Sequence, residues 1–140
     1  MSEIIAFLGQ HAWLSAGFGL SLLAFIANEL HGNWAAGPKI GVAEAIRLIN
    51  DENALVLDVR PAAEFKKGHI MNAVNFSLDK LKTHASELGK KDRPIIPYCM
   101  FGGNALEAAQ ALRAQGFSKV LPLKGGLNDW LNQEQQITTK

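Results

Sequence analysis

From Lys39 onward, short β-rich apolar runs alternate with stretches of helical periodicity, and this alternation constrains the fold more than any other feature. The runs Ala54–Val59, Ala73–Phe76, Ile95–Tyr98 and Lys119–Leu123 read as buried strands. Val42–Asn50 reads as an amphipathic helix with Val42, Ala45, Ile46 and Ile49 on one face. Pro61–Lys67 suits a helical turn, with Pro61 in its first positions and Gly68 placed to stop it. Leu78–Leu88 and Leu127–Asn132 read as helices, and Ala105–Gln115 as a helix closed by Gly116. Strands separated by helices pair in parallel, and the helices cover both faces of the sheet. In such sheets ligands gather beyond the carboxyl ends of the strands.

The N-terminal stretch is of another kind. Ala12–Ala27 carries no charge; Ile4, Ile5, Phe7 and Leu8 extend its apolar character upstream, and Leu30 extends it downstream. A spanning helix needs about 20 mostly apolar residues, and Trp13 and Trp34 fall where interfacial aromatics lie. A signal peptide wants a basic first segment, yet no Lys or Arg precedes Lys39. A core helix shows one apolar stripe, whereas this run is apolar on every face. The expected organisation is a single-pass membrane anchor at 1–30, a Gly/Ala-rich linker at 31–38 and a globular domain at 39–140. Positive charge lies only on the C-terminal side, which predicts an inner (cell) membrane protein with its globular domain in the cytoplasm.

Fourteen basic and thirteen acidic residues leave a net charge of +1, so no broad basic surface argues for nucleic acid. One cysteine forms no internal disulfide, and the four histidines are scattered without metal-ligand spacing. No metal or organic cofactor is expected.

That cysteine, Cys99, ends the run Pro94–Tyr98, and a helical pattern begins six residues later. A thiol at a strand end, wrapped by a Gly-bearing loop that opens into a helix, sits where backbone N–H groups favour a thiolate. The competing reading is an inert buried cysteine. Gly102 and Gly103 let the backbone curl inward, and they equally suit simple turn chemistry.

Three stretches carry a family resemblance. Leu57-Asp58-Val59-Arg60, Glu64-Phe65, Gly68-His69-Ile70 and Ala73-Val74-Asn75 resemble a signature D-V-R-x-x-x-E-(F/Y)-x-x-G-H-I-x-x-A-x-N. Tyr98-Cys99-x-x-Gly102 resembles an active-site loop C-x-x-G-x-R-(S/A). Leu123-Lys124-Gly125-Gly126 followed by Trp130 resembles a closing L-x-G-G-x-x-x-W. In order and spacing they are similar to the rhodanese-like domain family, over roughly residues 39–132. The whole chain is similar to small membrane-tethered rhodanese-like proteins of Gram-negative bacteria. The resemblance implies a five-stranded parallel sheet with helices on both faces. It also implies a cysteine that carries sulfane sulfur as a persulfide, taken from a small sulfur donor and passed to a thiol or protein acceptor.

On that reading Cys99 is the catalytic thiol. Met100, Phe101, Gly102, Gly103 and Asn104 form its loop, and Arg60 helps set the pocket charge. Asp58, Glu64, His69, Gly125, Gly126 and Trp130 serve the structure: Asp58 satisfies nearby backbone donors, Arg60 pairs with Glu64, His69 braces a turn and Trp130 is core. Lys66 and Lys67 form a solvated basic pair. Asn104 stands where the family usually has Arg, and Asn lacks that residue's charge and fork. Asn104 also reads as an N-cap with Glu107 as its capping-box partner. Two functions follow: a membrane-tethered sulfurtransferase or sulfur carrier, or a catalytically weak module that binds a protein partner at the membrane. The cysteine loop with its family flanks supports the first, which is the expected function; the missing Arg, the apolar Met100-Phe101 pair and the anchor motivate the second as the alternative.

Overall fold

The structure, a computed structural model, describes residues 2–140. Two compact units are present, Met1–His31 and Gly32–Lys140. In the first, helix α1 (Ser2–Gln10) ends at a turn on His11, and α2 (Ala12–Ala36) begins directly after it. At 1.5 Å per residue its 25 residues make a rod about 37 Å long, enough to cross a hydrocarbon core about 30 Å thick. Protein buries none of the apolar stretch Ala12–His31, and Trp13, Phe18, Leu20 and Phe25 project outward. Helix α2 continues to Ala36, through most of the stretch expected as a linker.

The second unit is an α/β layer structure built on β1 (Leu55–Asp58), β3 (Val74–Asn75) and β4 (Ile95–Tyr98). These form a parallel sheet in the order β3-β1-β4, with Leu57 opposite both Val74 and Pro97. Alternate side chains along each strand point to opposite faces. Leu55, Leu57 and Ile95 pack against α5 (Leu78–His84) and α6 (Gly103–Ala114) through Leu81, Ala105, Ala108 and Leu112. Val56, Ile96 and Tyr98 pack on the other face against α3 (Val42–Glu52) and α7 (Gly126–Asn132) through Val42, Ala45, Leu48, Leu127 and Trp130. Helices thus cover both faces, as the alternation requires. Helix α4 (Ala62–Lys67) begins after Pro61, and Gly68 follows it.

The expected five-stranded sheet is reduced to three strands, and prolines explain why. The segment expected as a fourth strand, residues 119–123, meets β4 in an isolated bridge between Ile95 and Val120, and its Leu123 N–H donates to the Pro97 carbonyl at 3.1 Å; Ile40 meets Leu123 in a second isolated bridge. Ile95 donates to Lys119 and accepts from Leu121, so two residues on, Pro97 faces the same segment with no N–H to offer. On the outer side Ile40 donates to the Pro122 carbonyl and accepts from Lys124. Extending that pairing by one step needs the amides of Pro38 and Pro122, and neither exists. The Val120 carbonyl is instead met by Arg113 Nη2 at 3.0 Å.

A second, antiparallel pair joins β2 (His69–Ile70) to β5 (Ile137–Thr138), with His69 opposite Thr138. Two-residue strands carry no periodicity, so the sequence gives no sign of this pair.

Candidate active site

Cys99 is the first residue beyond β4, at the carboxyl end of the parallel sheet. It is 6% exposed. The loop Met100–Gly102 turns back so that the Gly102 N–H donates to Cys99 Sγ at 3.0 Å. Gly102 has φ +105, in the region that favours glycine, and it stands at the N-cap of α6. The first amides of α6 have no helical acceptor of their own, so the loop and the helix start together present a positive end to the sulfur.

Asn104 is therefore not the cap. The helix begins at Gly103, two residues before the expected start at Ala105, because Gly102 supplies the turn that Asn104 was expected to make. Asn104 lies exposed within the first turn, and Glu107, its expected capping partner, reaches Lys82 at 3.0 Å.

The carbonyl side of the loop is tied down separately. The first amides of α7 bind it: Leu127 N–H donates to the Cys99 carbonyl at 2.8 Å and Asn128 N–H to the Met100 carbonyl at 2.9 Å. Gly126, at φ +59, packs so closely that a Cβ there would overlap those two carbonyls. The Gly125-Gly126 pair thus fixes which way the thiol loop faces. Trp130 is buried below and donates through Nε1 to the Gln136 carbonyl.

Facing the loop across a cleft of about 490 Å³ stand Arg60, Pro61 and Glu64. Cys99, Met100, Phe101, Gly103 and Asn104 line the other side. The structure thus brings six of the expected loop and pocket residues to one cavity, while Gly102 lies behind it on the sulfur. Arg60 does not pair with Glu64 as expected. Its Nε and Nη2 bind Asp58, the latter at 2.7 Å, and Nη2 also donates to the Gly68 carbonyl. Asp58 is wholly buried at the end of β1, two residues away, so it captures the guanidinium before α4 begins. Glu64 pairs with Lys67 instead, and that contact holds its carboxyl below the usual range.

Asp58 is the hub of a buried polar network. Its Oδ1 accepts the Arg60 N–H at 2.9 Å, and its Oδ2 accepts the Tyr98 hydroxyl at 2.7 Å. Tyr98 in turn accepts the Ile70 N–H, and Asn75 Nδ2 donates to the Asp58 and Arg60 carbonyls. Burial, reinforced by the Asp58 charge, pushes the Tyr98 hydroxyl well above its usual pKa, so it stays a donor. Burial pulls the Arg60 guanidinium down, and Asp58 more than offsets this, leaving it raised. His69 braces the α4 turn: it stacks on Phe65 at 3.6 Å, and Nδ1 lies 2.8 Å from the Phe65 carbonyl. It lies outside the thiol cleft.

Sequence reasoning missed Tyr98, Pro61 and the position of Glu64 on the cleft wall. The signal for Tyr98 was present, since a lone tyrosine in an otherwise apolar buried strand needs a partner for its hydroxyl. Among the described residues no cluster could hold a metal.

The fold and site define an α/β protein with a single thiol held at the carboxyl end of a parallel sheet. Residues 41–133 match the family model of the rhodanese-like domain, and the chain belongs to that family. It is 36% identical over 135 residues to the uncharacterized protein YibN of Escherichia coli strain K12, covering 95% of this chain and 94% of that one. It is 35% identical over 92 residues to the thiosulfate sulfurtransferase GlpE of Coxiella burnetii strain RSA 331, covering 66% and 85%. Among solved structures, the Alr3790 protein of Anabaena superposes with a TM-score of 0.67 at 27% identity, covering 72% of this chain and 82% of that one. The sulfurtransferases among its relatives support a sulfur-transfer role for this chain.

Proposed function

We propose that the chain is a membrane-tethered sulfurtransferase or sulfur carrier that holds sulfane sulfur as a persulfide on Cys99. The observation that carries this reading is the thiol itself, set in a cleft wall with the Gly102 N–H 3.0 Å from its sulfur. The Cys99 thiolate attacks the outer sulfur of a donor, the donor's S–S bond breaks, and the donor leaves with that electron pair. An acceptor nucleophile then takes the outer sulfur and Cys99 leaves as the thiolate. Donor N–H groups aimed at sulfur stabilise negative charge in both steps.

The cleft chemistry favours an organic persulfide over thiosulfate. The cation on the cleft wall, Arg60, is bound to Asp58, and Glu64 adds negative charge opposite Cys99. Asn104 supplies no charge. Asn104→Arg is expected to lower the apparent KM for thiosulfate about tenfold, the effect of one charge-assisted contact. Steady-state kinetics on the two proteins checks this, and an unchanged KM contradicts it.

Helix α2 supports the tether by its length and by its charge-free run Ala12–Ala27. Lys and Arg occur only beyond it, which favours the inner membrane with the globular unit facing the cytoplasm. The full chain is expected to remain in the membrane fraction through high salt and alkaline carbonate; release by either wash contradicts the anchor. Phe101, 74% exposed at the cleft mouth, favours a second reading as a module that binds a protein partner at the membrane.

A further inference from the structure

Behind the thiol loop lies a second cleft of about 210 Å³, and its chemistry is opposite to that of the first. Lys39 and Lys124 line it together with Phe101, Gly102, Gly103 and Pro122, and no acidic residue does. The backbone brings the two lysines onto adjacent, paired segments, because Ile40 donates to the Pro122 carbonyl while Lys124 N–H donates to the Ile40 carbonyl at 2.8 Å. Lys67, Lys80 and Lys82 each reach a glutamate, whereas among the described residues neither Lys39 nor Lys124 has an ion-pair partner. Two lysines among the lining of one cleft, with no acidic residue in that lining, give it a positive charge that favours an anion. Phe101 and Gly103 line both clefts, so the lysine cleft adjoins the Cys99 cleft across these two residues.

We propose that this second cleft seats a carboxylate of the sulfur acceptor while the acceptor thiol reaches over Phe101 to Cys99. The acceptor class is a thiol that bears a carboxylate, either a free thiol acid or a cysteine flanked by acidic residues on a protein. The inference rests on the reading of Cys99 as a persulfide carrier. The acceptor thiolate attacks the outer sulfur of the Cys99 persulfide; a new S–S bond forms on the acceptor, and the Cys99–sulfur bond breaks. Cys99 keeps that electron pair as thiolate, so no external oxidant or reductant is needed. The lysines act by charge, and their effect weakens with salt.

The test uses the full chain in detergent micelles, with sulfur loading of Cys99 verified by intact mass before any acceptor is added. Sulfur transfer is timed to glutathione, to a short peptide with cysteine between aspartates, and to uncharged 2-mercaptoethanol. In Lys39→Gln/Lys124→Gln the rate ratio of a carboxylate-bearing thiol over 2-mercaptoethanol is expected to fall about five- to tenfold at low salt. A fall for glutathione alone assigns a small thiol, and a fall for the peptide alone assigns a protein acceptor. An unchanged ratio for both overturns the proposal. If Cys99 does not load, the carrier reading fails and a separate arm decides the cleft. There, S-methylglutathione is titrated into Cys99→Ser by calorimetry. Binding that the two lysine substitutions weaken supports the carboxylate seat; no binding, or binding they leave alone, overturns it.

Discussion

Asp58→Ala is expected to destabilise the globular unit by about 3–5 kcal/mol, the cost of breaking a buried ion pair by removing one partner. Asp58 is wholly buried and takes hydrogen bonds from the Arg60 backbone, the Arg60 side chain and the Tyr98 hydroxyl. Without it the Arg60 guanidinium retains the Gly68 carbonyl and loses its counter-charge, while Tyr98 loses its acceptor. The loss is expected as a lower denaturation midpoint with an unchanged slope. Replacing the pair together, as Asp58→Ala/Arg60→Met, removes the stranded charge and is expected to recover part of the loss. A single variant within 1 kcal/mol of wild type would show that water already reaches this pair. The site responds as well, because Arg60 forms part of the cleft wall opposite Cys99.

The second large effect belongs to Gly126→Ala. Its backbone has φ +59, where an L-residue costs about 1–2 kcal/mol, and its Cβ would meet the backbone carbonyls of Cys99 and Met100. Backbone yields less readily than a flexible side chain, so the loop must move. That movement strains the bonds from Leu127 and Asn128 N–H, each worth about 1 kcal/mol. The expected sum is about 3 kcal/mol, with loss of sulfur loading because Cys99 moves with its carbonyl. Gly125→Ala provides the contrast. At φ +71 it carries the same backbone cost, but the nearest atoms to its Cβ belong to the Asp129 side chain, not to backbone. Denaturation and loading rates are expected to rank Gly126→Ala well below Gly125→Ala, and the reverse order would contradict this view of the loop.

Much of this architecture was legible because it rests on local pattern. The 3.6-residue apolar spacing of Val42, Ala45 and Ile46 and the short apolar runs at Leu55 and Ile95 specify a parallel sheet between helix layers. Leu48, missing from the expected helix face, is buried because α3 rolls it onto the sheet with Val42. The shortfall in strands follows from Pro38, Pro97 and Pro122. Pro97 lies within β4, which runs through it; its missing donor weakens the pairing with the neighbouring segment, a consequence that depends on which side each residue faces.

The site divides in the same way. Cys99 and its glycine loop were legible as a thiol at a strand end before a helix, and Gly125-Gly126 through the resemblance of the closing motif; Gly102, Gly125 and Gly126 all have positive φ, where glycine fits. The partners of Arg60 and Asn104 were not legible. Arg60 and Glu64 have helical i,i+4 spacing, but Arg60 precedes α4 and turns back to Asp58. Asn104 and Glu107 have capping-box spacing, but Gly102 starts the helix earlier. Spacing alone gives no helix phase, and both pairings depended on the true first residue.

The central claim is that Cys99 carries sulfur, and the intact mass of the full chain after exposure to an organic persulfide donor tests it most directly. The chain has one cysteine, so a gain of one sulfur atom on the wild type and none on Cys99→Ser is the predicted result. Wild type that remains unmodified, or a gain that survives in Cys99→Ser, would contradict it.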